Sequence, residues 1–171
     1  MNSDRRPTLC VVAGPNGSGK TTTTIQLLAN EWAAARLATE KRYECIEQRR
    51  DFVFETVFSS SEKLDFLRKA KDAGFFIRFF YVCTADPSIN ARRVYQRYLD
   101  GGHEVPISKI ISRYYKSLEN AAQAVEFVDR AYFYDNSVDN ELPKLLFRTS
   151  DGKVAKQYIP ILPDWAKALL P

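Results

Sequence analysis

The chain has 171 residues, 45% hydrophobic and 13% aromatic, which is enough for one buried core without obvious length for a second domain. Its formal charge of +4, from 25 basic and 21 acidic residues, suits anionic small molecules and falls short of a dedicated nucleic-acid binder. Three scattered cysteines without C-x-x-C spacing fit a reduced, cytoplasmic setting, and no apolar run is long enough to span a bilayer.

Strand and helix patterns alternate along the chain. The first strand, Thr8–Ala13, is apolar throughout and is expected at the centre of the sheet; helices over Lys20–Asn30 and about Trp32–Gln48 follow it. The next predicted elements are a strand at Phe52–Glu55, a helix at Ser59–Ala73 closed by Gly74, a strand at Phe75–Cys83, a helix from Asp86-Pro87 to about Leu99, a helix with a continuous apolar stripe at Ile107–Val128, and a strand at Ala131–Tyr134. The last are a hairpin, Leu145–Arg148 and Val154–Ile159 around Asp151-Gly152, and a helix at Asp164–Leu170. This alternation predicts an α/β fold, a mostly parallel sheet covered on both faces.

A glycine-rich loop follows the first strand. Gly14 to Thr21 (GPNGSGKT) matches G-x-x-x-x-G-K-[ST] between a predicted strand and a predicted helix. In such a P-loop the backbone N–H groups and the helix dipole hold phosphates, Lys20 reaches the β- and γ-phosphates, and the Thr21 hydroxyl faces Mg²⁺. The chain is therefore expected to bind ATP or GTP with Mg²⁺. The predicted nucleotide-binding residues are Gly14, Asn16, Gly17, Ser18, Gly19, Lys20, Thr21 and Thr22, with Thr21 as the metal ligand.

Basic side chains cluster on two successive predicted helices. Arg93 and Arg97 lie four residues apart on the first, and Arg113 lies on the second, beyond the turn Asp100–His103. A mobile lid that places arginines over transferring phosphates would have this pattern. Two solvated helix faces would have it equally well, and the charge pattern alone does not decide between them.

Several short segments resemble the zeta-toxin family of P-loop kinases. They occur in family order and cover most of the chain from Leu9 to Ser137: Phe52–Thr56 (FVFET), Lys69–Gly74 (KAKDAG), Gly101–Pro106 (GGHEVP), Arg113-Tyr114, Ser117-Leu118 and Tyr134–Ser137 (YDNS). The resemblance implies a three-layer P-loop nucleoside-triphosphate-hydrolase-type fold with a helical lid at about 88–128. Together with the chain length and the predicted elements, it gives a single domain over 1–171 that ends in a C-terminal hairpin and helix at about 143–171. It also implies an ATP-dependent kinase acting on a hydroxyl of a nucleotide sugar such as UDP-N-acetylglucosamine, with an antitoxin protein as partner.

The same resemblance assigns the catalytic residues. Lys20 would hold ATP, Glu55 of the F-E-T segment would contact the substrate, and Arg97 and Arg113 would be lid arginines, with Arg93 as an alternative to Arg97. Glu55 also ends an apolar strand at the carboxyl edge of the sheet, where ligands bind in open α/β folds.

Three further polar residues have two readings each. His103, the one histidine, is a turn or capping residue at least as readily as a catalytic one. Asp135 and Asn136 follow a strand, and they either contact the nucleotide base or form the turn.

The resemblance fails between the P-loop helix and the F-E-T strand. Members of the family carry an Asn-x-Asp segment there, whose Asp is the general base, whereas here 28–32 runs directly into 33–47. Either this protein lacks the segment or a stretch is missing between Asn30 and Ala33. Because general-base catalysis contributes about 10² to 10⁴ in rate, an alternative function is an ATP-binding module of a toxin–antitoxin system with little or no kinase activity.

Overall fold

The computed structural model describes residues 5–28 and 39–171. Its elements in chain order are β1 (Thr8–Ala13), α1 (Lys20–Leu28), α2 (Thr39–Glu47), β2 (Phe52–Thr56), α3 (Ser61–Asp72), β3 (Phe76–Cys83), α4 (Pro87–Leu99), α5 (Ile107–Val125), β4 (Arg130–Asp135), β5 (Lys144–Ser150), β6 (Lys153–Gln157) and α6 (Asp164–Lys167). Every predicted strand is present. The expected start of the second helix at Trp32, and the junction between Asn30 and Ala33, lie outside the described residues.

All six strands form one sheet in the order β2-β1-β3-β4-β5-β6. The first four are parallel, and β5 and β6 are antiparallel to their neighbours, so the fold is α/β with a mostly parallel sheet, as predicted. The expectation that β1 is the central strand was wrong. The C-terminal hairpin extends the sheet beyond β4, which leaves β1 second from the opposite edge.

Local sequence signals explain several element boundaries. The Asp86 side chain accepts a hydrogen bond from the Ser88 amide at 2.7 Å, with Pro87 in the first turn, which confirms Asp86 as a helix cap. Asp151 and Gly152 both have positive φ, 49° and 70°, as a tight hairpin turn requires. α5 and α6 each end three residues earlier than predicted, at Val125 and Lys167. After α5 the Phe127 and Val128 amides both donate to the Ala124 carbonyl, a tight turn that leads into β4.

Hydrophobic residues are buried on both faces of the sheet. The larger cluster includes Leu67 of α3, Tyr114 of α5 and Trp165 of α6, and the smaller one includes Val12 and Phe80 on the opposite face. The outermost strand, β6, is exposed at every position. In the described part of the chain, no helix combines the length and apolar character needed to cross a membrane.

The buried carboxylate of Asp129 links three segments near the amino ends of the strands. Asp129 accepts hydrogen bonds from the Ile77 amide at 2.8 Å and from Arg6 at 3.2 Å, and it pairs with Lys71 at 2.8 Å. Burial acts to raise the pKa of Asp129, but the Ile77 amide, Lys71 and Arg6 outweigh it, and the pKa is lowered. Asp129 is therefore an ionised structural residue, at the sheet edge opposite the P-loop.

Candidate nucleotide-binding site

The P-loop leaves β1 at the carboxyl edge of the sheet and enters α1. Gly17 and Gly19 adopt φ of +79° and +89°, values that L side chains rarely reach. Space forbids side chains there as well. A Cβ at Gly17 would lie 2.7 Å from the Asn90 carbonyl oxygen, and one at Gly19 would overlap Asn136 Nδ2. The loop is thus packed closely from its outer side.

Lys20 is buried against this loop. Its side chain is held by a hydrogen bond of 2.9 Å from Nζ to the Pro15 carbonyl, and the residue is 8% exposed. Burial lowers the pKa of Lys20 to about 8; Glu55 acts to raise it and Arg97 to lower it further. The amine therefore lies in a site where an added negative charge, such as a phosphate, would stabilise its protonated form.

Glu55 lies directly beside the predicted metal ligand. Glu55 lies next to Val12 in the pairing of β2 with β1, near the end of β1 from which the P-loop leads into α1. Its side chain reaches the start of α1. The hydroxyls of Thr21 and Thr24 donate to Glu55 Oε1 and Oε2 at 3.0 and 3.2 Å. Because the Thr21 hydroxyl donates its proton to Glu55, its oxygen lone pairs can coordinate a cation.

A cavity of about 840 Å³ opens over the P-loop. Six of the predicted nucleotide-binding residues line it: Asn16, Gly17, Gly19, Lys20, Thr21 and Thr22. Gly14 and Ser18 lie behind this surface; the Ser18 side chain is fully buried, and its amide donates to Pro15 at 3.2 Å. The cavity also reaches Glu55, three arginines of α4 and the segment after β4, so it joins the P-loop to a basic wall.

The three arginines differ in what they contact. Arg92 and Arg93 both pair with Asp139, at 2.6 and 2.8 Å. Arg93 Nη1 also donates to the carbonyls of Gly17 at 3.3 Å and Asn136 at 2.8 Å. Arg97, one turn further along, lines the cavity and acts on Lys20 by charge. Arg97 is therefore placed to meet a phosphate, while Arg93 is engaged with the protein.

The remaining predicted residues differ in whether they reach the cavity. Arg113, on α5, is half-buried and is not among the residues that line the cavity, and neither is the exposed His103. Asp135 accepts hydrogen bonds from the Ser137 amide at 2.8 Å and from the Trp165 indole at 3.3 Å, which is a turn role. Asn136 lines the cavity and donates to the Ser18 carbonyl at 2.8 Å.

Asn90 and Asp139, which support the site from outside the P-loop, were not anticipated from the sequence. Asn90 is fully buried on α4, and its Nδ2 donates to the Asn16 carbonyl at 2.6 Å. A polar residue one turn before the buried Val94, on the same helix face, is the signal that could have revealed it. Asp139 carries no comparable signal, because its role depends on where α4 docks.

The fold and the site together define a P-loop protein of the α/β class, with a cavity that opens over the phosphate-binding loop. The family model for zeta toxins matches residues 29–142, which is more than half of the chain. The chain therefore belongs to the zeta toxin family. No curated protein matches the sequence.

Solved structures share the fold at low identity. A chain of the AvrRxo1-ORF1:AvrRxo1-ORF2 complex with sulphate ions has a TM-score of 0.64 and 12% identity over 89% of this chain and 61% of its own. A chain of the complex with ATP has a TM-score of 0.62 and 13% identity, over 89% of this chain and 61% of its own. A chain from the PezAT chromosomal toxin–antitoxin system of Streptococcus pneumoniae has a TM-score of 0.53 and 11% identity, over 89% of this chain and 78% of its own. At these identities the likeness shows the fold alone, and this chain spans 61% of the AvrRxo1 chains.

Proposed function

We propose that the protein is an ATP-dependent kinase that transfers the γ-phosphate to a hydroxyl of a nucleotide sugar such as UDP-N-acetylglucosamine. The observation that carries the proposal is the single cavity in which the P-loop, Lys20, Glu55 and Arg97 meet. Phosphoryl transfer depends mainly on positioning and on neutralising phosphate charge, and these groups serve both purposes.

The residues beside Lys20 fit Mg²⁺. This ion is usually held by one or two carboxylates, by substrate phosphates and by water rather than by an all-protein cage. Thr21 and Glu55 supply a hydroxyl and a carboxylate side by side, and the described residues include no cluster of three or more metal-binding side chains. Thr21 and Glu55 would hold the ion, which would neutralise charge on the β- and γ-phosphates.

The chain's own residues have separate tasks in this reaction. The acceptor oxygen forms a bond to the γ-phosphorus while the bond to the bridging oxygen breaks; ADP leaves, and the acceptor's proton passes to water or a base. The P-loop amides and Lys20 would bind the phosphates, and Arg97 would stabilise the charge of the transferring group. The nucleotide-sugar acceptor rests on the family resemblance. An antitoxin partner rests on that resemblance and on the PezAT toxin–antitoxin neighbour.

A second candidate function is an ATP-binding module without kinase turnover. It is favoured because the carboxylates that line the cavity are already paired with other groups of the protein. Asp139 pairs with two arginines, Glu141 pairs with Lys144 at 3.4 Å, and Glu55 accepts hydrogen bonds from Thr21 and Thr24. Each acidic side chain in the cavity thus already has a partner, and a general base would have to give one up.

The test is ADP formation by the purified protein with ATP and Mg²⁺, with and without UDP-N-acetylglucosamine. Sugar-dependent ADP, lost in Lys20→Met, supports the kinase. ATP binding without turnover, under the same conditions and with a panel of UDP sugars, would overturn it in favour of the binding module. No binding of any nucleoside triphosphate would refute both.

A further inference from the structure

Three consecutive P-loop carbonyls are each bonded by a side chain from outside the loop. Asn90 Nδ2 donates to the Asn16 carbonyl at 2.6 Å and Arg93 Nη1 to the Gly17 carbonyl at 3.3 Å. Asn136 Nδ2 donates to the Ser18 carbonyl at 2.8 Å. We infer that these three donors, here named the clasp (Asn90, Arg93 and Asn136), are positioning residues that hold the P-loop in its phosphate-binding conformation before the nucleotide arrives.

The argument begins with the peptide plane. Because each peptide is planar, fixing a carbonyl also fixes the N–H on the opposite side of the same unit. Carbonyls held on the outside of the loop therefore turn the following N–H groups away from the clasp. The Ser18 N–H, turned inward in this way, donates to the Pro15 carbonyl within the loop, and the N–H groups of Gly17 and Gly19 are oriented toward the phosphate side. A phosphate cradle needs several amides converging at once, and a loop fixed in advance loses less entropy when it binds.

The clasp is itself held by other contacts. Asn90 is fully buried, its Oδ1 meets the Thr84 hydroxyl, and the Thr84 carbonyl accepts the Tyr114 hydroxyl at 2.6 Å. Asp139 binds Arg93 through Nε and Nη2, at 2.9 and 2.8 Å, which leaves Nη1 for the loop. The clasp thus links α4, α5 and the segment after β4 to three adjacent peptides.

The clasp gives a second reason why Gly17 and Gly19 must be glycine. A Cβ at Gly17 would meet the Asn90 backbone, and one at Gly19 would meet the Asn136 side chain. Both contacts lie on the clasp side of the loop. The small residues therefore let the clasp approach, in addition to permitting the positive φ values.

The sharpest variant is Asn90→Ala, because Asn90 is not among the residues lining the cavity and any effect on ATP must pass through the loop. The matched control is Asn120→Ala, which removes a similar bond, from Asn120 Nδ2 to the Phe58 carbonyl at 2.9 Å. Loss of one such bond, worth about 1 kcal/mol, is expected to weaken ATP binding about fivefold. Amide hydrogen exchange at 16–20 should quicken in the nucleotide-free protein, while that of β1 and β3 is unchanged.

The inference rests on the proposed nucleotide site, but the exchange measurement needs no nucleotide and tests the clasp separately. Unchanged exchange at 16–20, or ATP affinity equal to that of Asn120→Ala, would overturn the clasp while leaving the kinase proposal standing. If wild-type protein binds no ATP, the function fails and exchange alone decides the clasp. Should Asn90→Ala not fold, Asn136→Ala and Arg93→Lys, which keeps the charge but loses the fork, take its place in the exchange measurement.

Discussion

The buried position of Lys20 predicts that ATP binding depends on pH in an unusual range. An ordinary lysine, with a pKa near 10.4, keeps its charge up to pH 9. Here burial lowers the pKa of Lys20 to about 8 in the nucleotide-free protein. Only the protonated amine attracts phosphates strongly, so affinity should fall as the pH rises through 8.

The size of the effect follows from the fraction of competent protein. With a pKa of about 8, Lys20 is about 90% protonated at pH 7 and about 10% at pH 9. The dissociation constant for ATP should therefore rise about ninefold between these pH values, a loss on the order of 1 kcal/mol. At pH 8, binding should take up about half a proton, because bound phosphates restore the charged form.

Isothermal titration of ATP in the presence of Mg²⁺, in two buffers of different ionisation enthalpy, measures both quantities. Lys20→Arg is the matched control, since arginine keeps its charge throughout this range, whereas titration of ATP itself affects both proteins equally. The control is expected to show nearly constant affinity from pH 7 to 9. If wild type and Lys20→Arg show the same slope and the same proton uptake, Lys20 does not titrate in this range, and the reasoning from burial is wrong.

Three further variants test other parts of the site and fold. Glu55→Gln should weaken Mg²⁺ binding in the presence of ATP roughly 10- to 100-fold, measured with Mn²⁺ by electron paramagnetic resonance; unchanged metal affinity with lost turnover would instead indicate a base. Arg97→Met should lower kcat about 10²- to 10³-fold with little change in ATP affinity, and a change in affinity alone would contradict a role in transfer. Asp129→Ala should cost about 2 kcal/mol in urea unfolding, because the buried Ile77 amide loses its acceptor and the partly exposed Arg6 and Lys71 lose an ion pair. Since the pKa of Asp129 is lowered in the folded protein, its contribution is present above pH 4 and disappears as the pH falls through the folded-state pKa; Asp129→Ala should lack this acid-dependent loss.

Local signals were enough to predict most of the fold. The P-loop, the Asp86 cap and the Asp151-Gly152 turn each depend on a few neighbouring residues, and each has the expected conformation. The apolar stripe of α5 shows where local reasoning stops. Ile107 and Ile111 belong to it but are 58% and 39% exposed, because periodicity marks a face of a helix without showing how far the core extends along it.

The contacts within the site depend on how α4 packs against the P-loop, which the sequence alone does not show. Arg93 and Arg97 are equivalent in the sequence, one turn apart on one helix face. The position of α4 over the P-loop directs Arg93 into backbone carbonyls and leaves Arg97 facing the cavity. Asn90 and Asp139 acquire their partners through the same docking, across 74 and 46 positions of chain, a separation that no local pattern encodes.

The exposed outer strand β6 has a consequence for the behaviour of the protein at high concentration. An unpaired strand edge offers a row of backbone donors and acceptors to any second chain that arrives extended, which is how edge-to-edge aggregation begins. Lys153 and Lys156 stand on this edge, and every position of the strand is open to water. An incoming strand would have to bury these ammonium groups or displace them, and two like strands would repel each other. The same five residues that complete the sheet thereby discourage its growth.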